Sequence, residues 1–227
     1  RYGTVTGVQT CALPILFFIC RSSLQSNVTR TSPRPFNQNL MRNSVEIRDG
    51  RTDDTNRLAV LAVQVWLHTY ATEGVNHDVA HYVLSELTPE KYRQRLSDPA
   101  THIFVAEHGD SVVGFAAVKF NLQCPSRATA KVELQTLYVQ EHYVGLGIGS
   151  SLLHAAEVKA REQSGSALWL TVNAQNHRAI GFYAHQGYTK VGTTYFVLGE
   201  GRHENHVLVG PVDVGLIGAA NSTTLGG

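Results

Sequence analysis

The sequence predicts an α/β protein of three layers, in which a mixed, mostly antiparallel sheet is flanked by helices. Strand and helix patterns follow one another in the order β-α-α-α-β-β-β-α-β-α-β-β, which is typical of helices packed on both faces of one sheet. The 227 residues suffice for one well-buried domain. With 43% apolar and 16% charged residues, the composition is that of an ordinary soluble protein.

The first half of the domain begins with a strand and continues with three helices. Val45–Asp49 alternates in polarity and predicts the strand. Asp53 is predicted to be the N-cap of a long helix, since apolar residues recur at helical spacing from Leu58 to Tyr70. A second helix is predicted over His77–Leu87, and Thr88-Pro89-Glu90 opens a third with proline in its first turn.

The second half contains most of the predicted strands. Two β-rich runs, His102–His108 and Ser111–Phe120, flank the tight turn Gly109-Asp110 and predict a hairpin. Further strands are predicted over Lys131–Val139, Ala167–Val172, Thr189–Leu198 and His206–Val209, and helices over Gly147–Ser164 and Asn176–His185.

The two ends of the chain differ from the predicted domain of residues 44–210. Residues 5–15, VTGVQTCALPI, match the conceptual translation of a common sequencing-library adapter. We therefore interpret residues 1–43 as an artefactual or disordered extension and Met41 as the natural start. Its apolar run at 11–20 is too short to span a bilayer. Residues 211–227, rich in Gly, Ser and Thr, are predicted to form a flexible tail.

Charge and cysteine content favour some partners over others. Residues 44–210 carry 14 Lys or Arg against 17 Asp or Glu, a net charge of −3. This mild acidity argues against nucleic acid as a partner and suits a cationic substrate. Three cysteines provide no disulfide framework, so a cytoplasmic protein without a membrane partner is expected. The sequence leaves a homodimer open.

A glycine-rich loop is the most conspicuous motif. Alternate glycines at the start of a predicted helix let backbone N–H groups converge on one anion, for which a pyrophosphate is the natural candidate. A purely structural tight turn is the alternative reading. A Walker loop is excluded because Gly149 is not followed by Lys, and a Rossmann site because the next strand ends without an acid. The loop comprises Gly145, Leu146, Gly147, Ile148, Gly149 and Ser150.

Four segments in a fixed order resemble the GNAT acetyltransferase family, namely Val132–Val139, Gly145–Leu153, Asn176–Tyr183 and Gly187-Tyr188. The resemblance implies the acyl-CoA N-acyltransferase fold, acetyl-CoA as co-substrate and an amine as acceptor. It further implies that the glycine loop holds the CoA pyrophosphate.

The same resemblance implies roles for individual residues. The strand residues Leu137, Tyr138 and Val139 would pair with the pantetheine arm, Asn176 and Phe182 would contact the cofactor, and Tyr183 would lie beside the thioester sulphur.

One position departs from the family pattern, since Val144 stands where the loop usually opens with Arg or Gln. A side-chain contact to phosphate is therefore lost, whereas the backbone donors remain. Within the family, Trp66–Tyr70 and Tyr195–Glu200 resemble the bacterial polyamine (spermidine/spermine) N-acetyltransferases.

Catalysis requires a proton acceptor and a proton donor. An alkylammonium, with a pKa of about 10.4, must lose a proton before it attacks a thioester. Glu133 is the candidate base, with a surface or salt-bridged carboxylate as the alternative. Tyr183 is the candidate acid for the leaving thiolate, with a core tyrosine as the alternative, and Tyr138 and Tyr143 compete for this role. A strand backbone N–H would meet the oxyanion.

Three functions remain open from the sequence. The first is acetylation of a small amine such as a polyamine, and the second is acetylation of a protein amine. The third is a weakly catalytic acyl-CoA sensor, which is compatible with the loss of a phosphate contact at Val144. The acceptor site is expected between residues 68–92 and the loop 122–130. A zinc site at His77 and His81 is disfavoured because no third ligand is evident, so no metal is expected.

Overall fold

A computed structural model describes residues 45–71 and 73–211; the extension 1–43, Met41 and the residues beyond 211 lie outside the described part. The described chain is a mixed α/β structure, which confirms the predicted fold class. Its strands are β1 Val45–Asp49, β2 Thr101–His108, β3 Ser111–Lys119, β4 Val132–Val139, β5 Leu168–Asn173, β6 Thr189–Leu198 and β7 Gly201–Val209. Its α-helices are α1 Thr55–Tyr70, α2 His77–Glu86, α3 Pro89–Ser97, α4 Ile148–Ser164 and α5 His177–His185.

The strands form one sheet in the order β1-β2-β3-β4-β5-β7-β6. Every named strand pair is antiparallel except β4 with β5, which is parallel. Helices α1, α2 and α3 pack on one face, around Trp66 and Phe115, and helices α4 and α5 pack on the other, around Leu152 and Tyr183. The central strands are therefore buried on both sides, as a three-layer arrangement requires.

The start of α1 differs from the prediction. Residues Thr52–Asp54 form a short 3₁₀ turn, so Asp54 rather than Asp53 precedes the helix. The Asp54 carboxylate makes no cap to α1 because it accepts hydrogen bonds from the Arg48 guanidinium at 2.7 and 2.9 Å. The later helices begin as their sequences indicate, with Asn76 Oδ1 accepting from Val79 N at 2.9 Å and Thr88 capping α3.

The last strand is longer than the sequence predicts. The prediction began at His206, whereas β7 begins at Gly201 and pairs with β6 from Leu198 onward. The intervening side chains are polar because this end of the hairpin is exposed, so its backbone pairing has no apolar alternation to reveal it. His203 and His206 consequently both lie within β7.

Candidate active site

Strands β4 and β5 part shortly after they meet. They pair only at Val132 with Leu168 and at Glu133 with Trp169. On the other side of β4, pairing to β3 shifts so that Gln135 is an extra residue between two paired positions, which is a β-bulge. The segment Leu137–Val139 therefore has a strand partner on its β3 side alone. Its backbone groups on the β5 side are open to an extended ligand.

The glycine loop lies between β4 and α4. Gly145 and Gly147 have φ values of 82° and 85°, a left-handed conformation that favours glycine. Gly147 is the N-cap of the 17-residue helix α4 and provides no side-chain cap, so the first N–H groups of the helix face outward without an intrahelical partner. Val144 is half-buried and packs inward on the core. The loop thus has the donors and the positive helix end that a pyrophosphate requires.

Tyr183 lies in the core between the two diverging strands and α4. It is fully buried in one cluster with Leu137, Ile148 and Val172. Its hydroxyl has no hydrogen-bond partner among the residues that the structure describes. Burial raises the pKa of the Tyr183 phenol well above its ordinary value, so the phenol retains its proton at neutral pH.

The two residues predicted beside Tyr183 on the cofactor side have different surroundings. Phe182 is half-buried and contacts the Tyr183 ring edge-on, with centroids 5.1 Å apart. Asn176 is the N-cap of α5, and its Oδ1 accepts from Ala179 N at 3.1 Å. That oxygen is therefore engaged locally, and the contact of Asn176 with the cofactor stays a prediction.

The other two tyrosines considered for the acid role have different environments. Tyr138 is on the face covered by α1, α2 and α3, with its ring centroid 5.4 Å from that of Phe115. The Tyr143 hydroxyl lies 3.2 Å from His108 Nδ1. Of the three tyrosines, Tyr183 alone is a buried member of the core cluster that contains Leu137 of β4 and Val172 of β5. Its hydroxyl also has no hydrogen-bond partner among the described residues.

A cavity of about 830 Å³ opens on the α1–α3 side of the diverging strands. Three parts of the chain wall it: helix α2, the loop around Leu122–Pro125, and the β6–β7 hairpin. The first two walls fall within the ranges predicted for the acceptor site, whereas the hairpin wall was not predicted. Trp169 Nε1 donates to Leu122 O at 2.8 Å and so holds the loop against β5. We call this space the acceptor cavity.

Glu133 is the most deeply buried carboxylate of the acceptor cavity, with 0% of its surface exposed. Gln135 Nε2 donates to its Oε2 at 3.1 Å, and its Oε1 has no hydrogen-bond partner within the described ranges. Burial raises the pKa of Glu133 to about 7, although the Gln135 hydrogen bond acts in the opposite direction. The surface or salt-bridged alternative for Glu133 does not hold, because the side chain is buried and has no described ion pair.

The histidine pair considered for a metal site belongs to α2, where His81 borders the acceptor cavity. His77 and His81 are exposed on α2 with ring centroids 6.5 Å apart. Among residues 45–71 and 73–211, no group of three or more His, Cys, Asp or Glu side chains is placed to hold a metal ion. No helix in the same ranges combines the length and the apolar character needed to cross a bilayer.

Comparison with known proteins establishes the family. Residues 63–188 match the model of the Acetyltransferase (GNAT) family, which is more than half of the chain. The chain belongs to this family. It is thus an acetyl-CoA-dependent N-acetyltransferase, as the four matching segments imply.

Individual GNAT relatives agree with this assignment. An N-acetyltransferase of Mycobacterium tuberculosis is 30% identical over 69% of this chain and 96% of its own length. A spermidine N(1)-acetyltransferase of Thermoplasma acidophilum is 26% identical over 64% of this chain and 88% of its own length. The crystal structure of the PaiA N-acetyltransferase from the same organism, in complex with coenzyme A, has the same fold, with a TM-score of 0.55 and 23% identity over 72% of this chain and 98% of that one.

Several residues of the site were not identified from the sequence. Gln135 orients Glu133, and Thr171 and Asn205 line the acceptor cavity as buried polar side chains. The sequence gives little indication of Thr171, because β5 is a largely apolar run, LWLTVN, with a single threonine. Asn205 preceded the predicted start of the last strand, so its inward position was not expected.

Proposed function

We propose that this GNAT enzyme transfers the acetyl group of acetyl-CoA to the primary amine of a small cationic molecule, such as a polyamine. Glu133 would be the general base and Tyr183 the general acid. The observation that carries the proposal is the position of Glu133. It is a buried carboxylate with a pKa near 7, directed into a cavity at the point where β4 and β5 separate.

The co-substrate would lie between the diverging strands. The pyrophosphate would be bound by the backbone of Gly145–Ser150 and the start of α4, as the left-handed glycines and the uncapped helix end favour. The pantetheine arm would follow the open edge of Leu137–Val139 toward Tyr183. Acetyl-CoA supplies the activated acyl group.

Glu133 and Tyr183 would have different parts in the proton transfers. A carboxylate with a pKa near neutrality is suited to accept a proton from the ammonium group, which leaves a neutral amine to attack the thioester carbonyl. The C–N bond forms and the C–S bond breaks. Of the two protons that the ammonium loses, one passes through Glu133 to solvent. The other leaves the nitrogen after the C–N bond has formed and restores the proton that Tyr183 delivers to the CoA sulphur, so that the products are the amide, the CoA thiol and one released proton.

The lining of the acceptor cavity favours a cation. Besides Glu133 it contains the carboxylates of Asp78 and Glu86 and one lysine, Lys91, whose Nζ lies 3.3 Å from Glu86. Aromatic rings, including Tyr82 and Trp169, contribute apolar walls that also attract cations. The spermidine acetyltransferase among the relatives supports this class of acceptor.

The test measures thiol release from acetyl-CoA by the full chain with spermidine, spermine, an aminoglycoside and an N-terminal peptide. We expect turnover with a polyamine. Tyr183→Phe should lower kcat about 10²- to 10⁴-fold, the usual contribution of a general acid. Glu133→Gln should lower kcat/KM to a similar extent and remove its rise through pH 7, because the amide cannot accept the proton.

Glu90→Gln is the matched control, since Glu90 is an exposed carboxylate on α3 that does not line the cavity. It should behave like the unmodified chain. Turnover with the N-terminal peptide but with none of the small amines would contradict the proposed acceptor and indicate a protein amine instead. Binding of CoA without turnover on any acceptor would refute catalysis on this panel and favour a sensor.

A further inference from the structure

Two buried polar side chains of the acceptor cavity have no role in the reaction described so far. Thr171 on β5 is 3% exposed and Asn205 on β7 is 1% exposed, and both line the cavity. Thr171 Oγ1 and Asn205 Oδ1 have no hydrogen-bond partner in the described part of the chain, and the same is true of Glu133 Oε1. Unsatisfied buried oxygens are rare and destabilising, so three in one cavity indicate a ligand.

The strand register places these oxygens in one row. Glu133 pairs with Trp169, and Thr171 follows two residues later on the same face of β5. Thr171 is paired with Val207, which Asn205 precedes by two residues on β7. Thr171 and Asn205 are therefore diagonal neighbours with about 7–8 Å between their backbones, close enough for both oxygens to contact one small group between them.

The opposite face of the same strands has a different composition. Leu170, Val172 and Leu208 point into the apolar core against α4 and α5. The polar side chain of β7 that pairs with Val172 on that opposite face, His206, is only partly buried. The fully buried polar side chains of β5 and β7, Thr171 and Asn205, are both on the face that borders the cavity, where a ligand can satisfy them.

We propose that Thr171 and Asn205 are positioning residues that, together with Glu133, hold the primary ammonium group of the acceptor. This inference rests on the proposed function and defines its acceptor more closely. A primary ammonium has three N–H donors, and the cavity presents three acceptor oxygens: carboxylate, hydroxyl and amide carbonyl. A secondary ammonium has two N–H donors and leaves one oxygen unsatisfied. The enzyme consequently selects primary over secondary amines.

The experiment measures equilibrium binding, which does not depend on turnover. The full chain saturated with CoA is titrated calorimetrically with benzylamine and with N-methylbenzylamine. The unmodified protein should bind benzylamine more tightly. Thr171→Val and Asn205→Leu should each weaken benzylamine binding by about ten- to a hundredfold, as expected for one hydrogen bond to a charged group, and should reduce the preference for the primary amine.

Two further variants separate positioning from a structural effect. Thr136→Val makes the same change at a fully buried threonine that also lacks a described partner but does not line the cavity, so the amine preference should be retained. Thr171→Ser keeps the hydroxyl and should restore binding. CoA affinity should stay within about twofold in all four variants, which also reports that each is folded.

The outcomes distinguish this inference from the proposed function. Unchanged benzylamine affinity in both Thr171→Val and Asn205→Leu, or no preference for the primary amine in the unmodified protein, would overturn the inference even if acetyl transfer occurs. Selective benzylamine binding that is lost in both variants, without acetyl transfer to any amine, would support the inference while refuting the proposed reaction.

Discussion

At the scale of single residues, Glu133 connects activity with stability. Its pKa is raised to about 7 in the folded protein, against 4.5 for an ordinary glutamate. The folded state therefore binds the proton more tightly than the unfolded state. Stability from this group is fully present below pH 4.5 and is lost as the pH rises through 7. A group that acts as base at neutral pH consequently destabilises the fold under the same conditions.

Glu133→Gln should remove this pH dependence because the amide is neutral throughout. The free energy of unfolding of the unmodified protein should fall by roughly 3 kcal/mol from pH 4.5 to pH 8 on account of Glu133, and the variant should escape that loss. Urea unfolding at pH 4.5 and pH 8 measures the difference. Glu107→Gln is the opposite control. The Arg48 hydrogen bond lowers the pKa of Glu107, so the loss of this carboxylate should destabilise the folded protein at both pH values. Equal effects of Glu133→Gln at the two pH values would contradict the assignment.

Glu133 and Tyr183 could be identified as candidate site residues from the sequence, whereas Thr171 and Asn205 could not. The first two lie in segments whose spacing resembles a known family, so their neighbourhood was expected. The latter two become significant only because the register between β5 and β7 brings their oxygens to the same cavity as Glu133. Cross-strand register depends on non-local pairing, which single-strand patterns do not encode.

At the scale of elements, the glycine loop and α4 form the best-defined part of the cofactor site. Gly145 at the start of the loop and Gly165 after the end of α4 both have positive φ, at 82° and 57°, and an added Cβ would meet nothing within 4 Å at either. An alanine at either position therefore meets no steric clash and has a left-handed backbone penalty, whereas only Gly145 lies in the loop. This makes the two glycines a matched pair.

Gly145→Ala and Gly165→Ala should each lower the free energy of unfolding by about 1 kcal/mol, the penalty for a left-handed alanine. Only Gly145→Ala should also weaken CoA binding, because relief of the strained φ would turn the loop amides away from the pyrophosphate. Calorimetric titration with CoA gives the comparison, and urea unfolding gives the stability. Equal CoA affinities in the two variants would show that the loop conformation does not determine binding.

The elements themselves were largely predictable, and the exceptions have local causes. Helix and strand periodicity located every described α-helix and strand, since most bury one apolar face. The start of α1 was misplaced by one residue because Thr52–Asp54 form a 3₁₀ turn, so that Asp54 rather than Asp53 precedes the helix. The separation of Leu137–Val139 from β5 agrees with what the family resemblance implies, whereas the bulge at Gln135 is a change of backbone pairing that no residue type indicates.

At the scale of the whole molecule, a partly buried ion-pair network joins the first strand to the rest of the sheet. Arg48 on β1 contacts Asp54, which precedes α1, and Glu107 on β2, each at 2.7 Å. Arg57 on α1 contacts the same two carboxylates. Asp54 is fully buried and Arg48 is nearly so. The network lies at the β1 end of the sheet, away from the β4–β5 opening.

Asp54→Asn should therefore destabilise the fold without changing the active site. Removal of the Asp54 charge leaves Glu107 as the one described carboxylate that pairs with both Arg48 and Arg57, and a loss of about 3 kcal/mol in the free energy of unfolding is expected because Asp54 is fully buried. Glu90→Gln breaks only the exposed pair of Glu90 with Arg93 and should cost less than about 1 kcal/mol. Urea unfolding at pH 7 measures both, and the KM for acetyl-CoA, determined well below the melting temperature, should be the same in the two variants. A raised KM in Asp54→Asn would mean that a change at the β1 end of the sheet alters the opening between β4 and β5. The active site would then depend on the ion-pair network that holds the first strand.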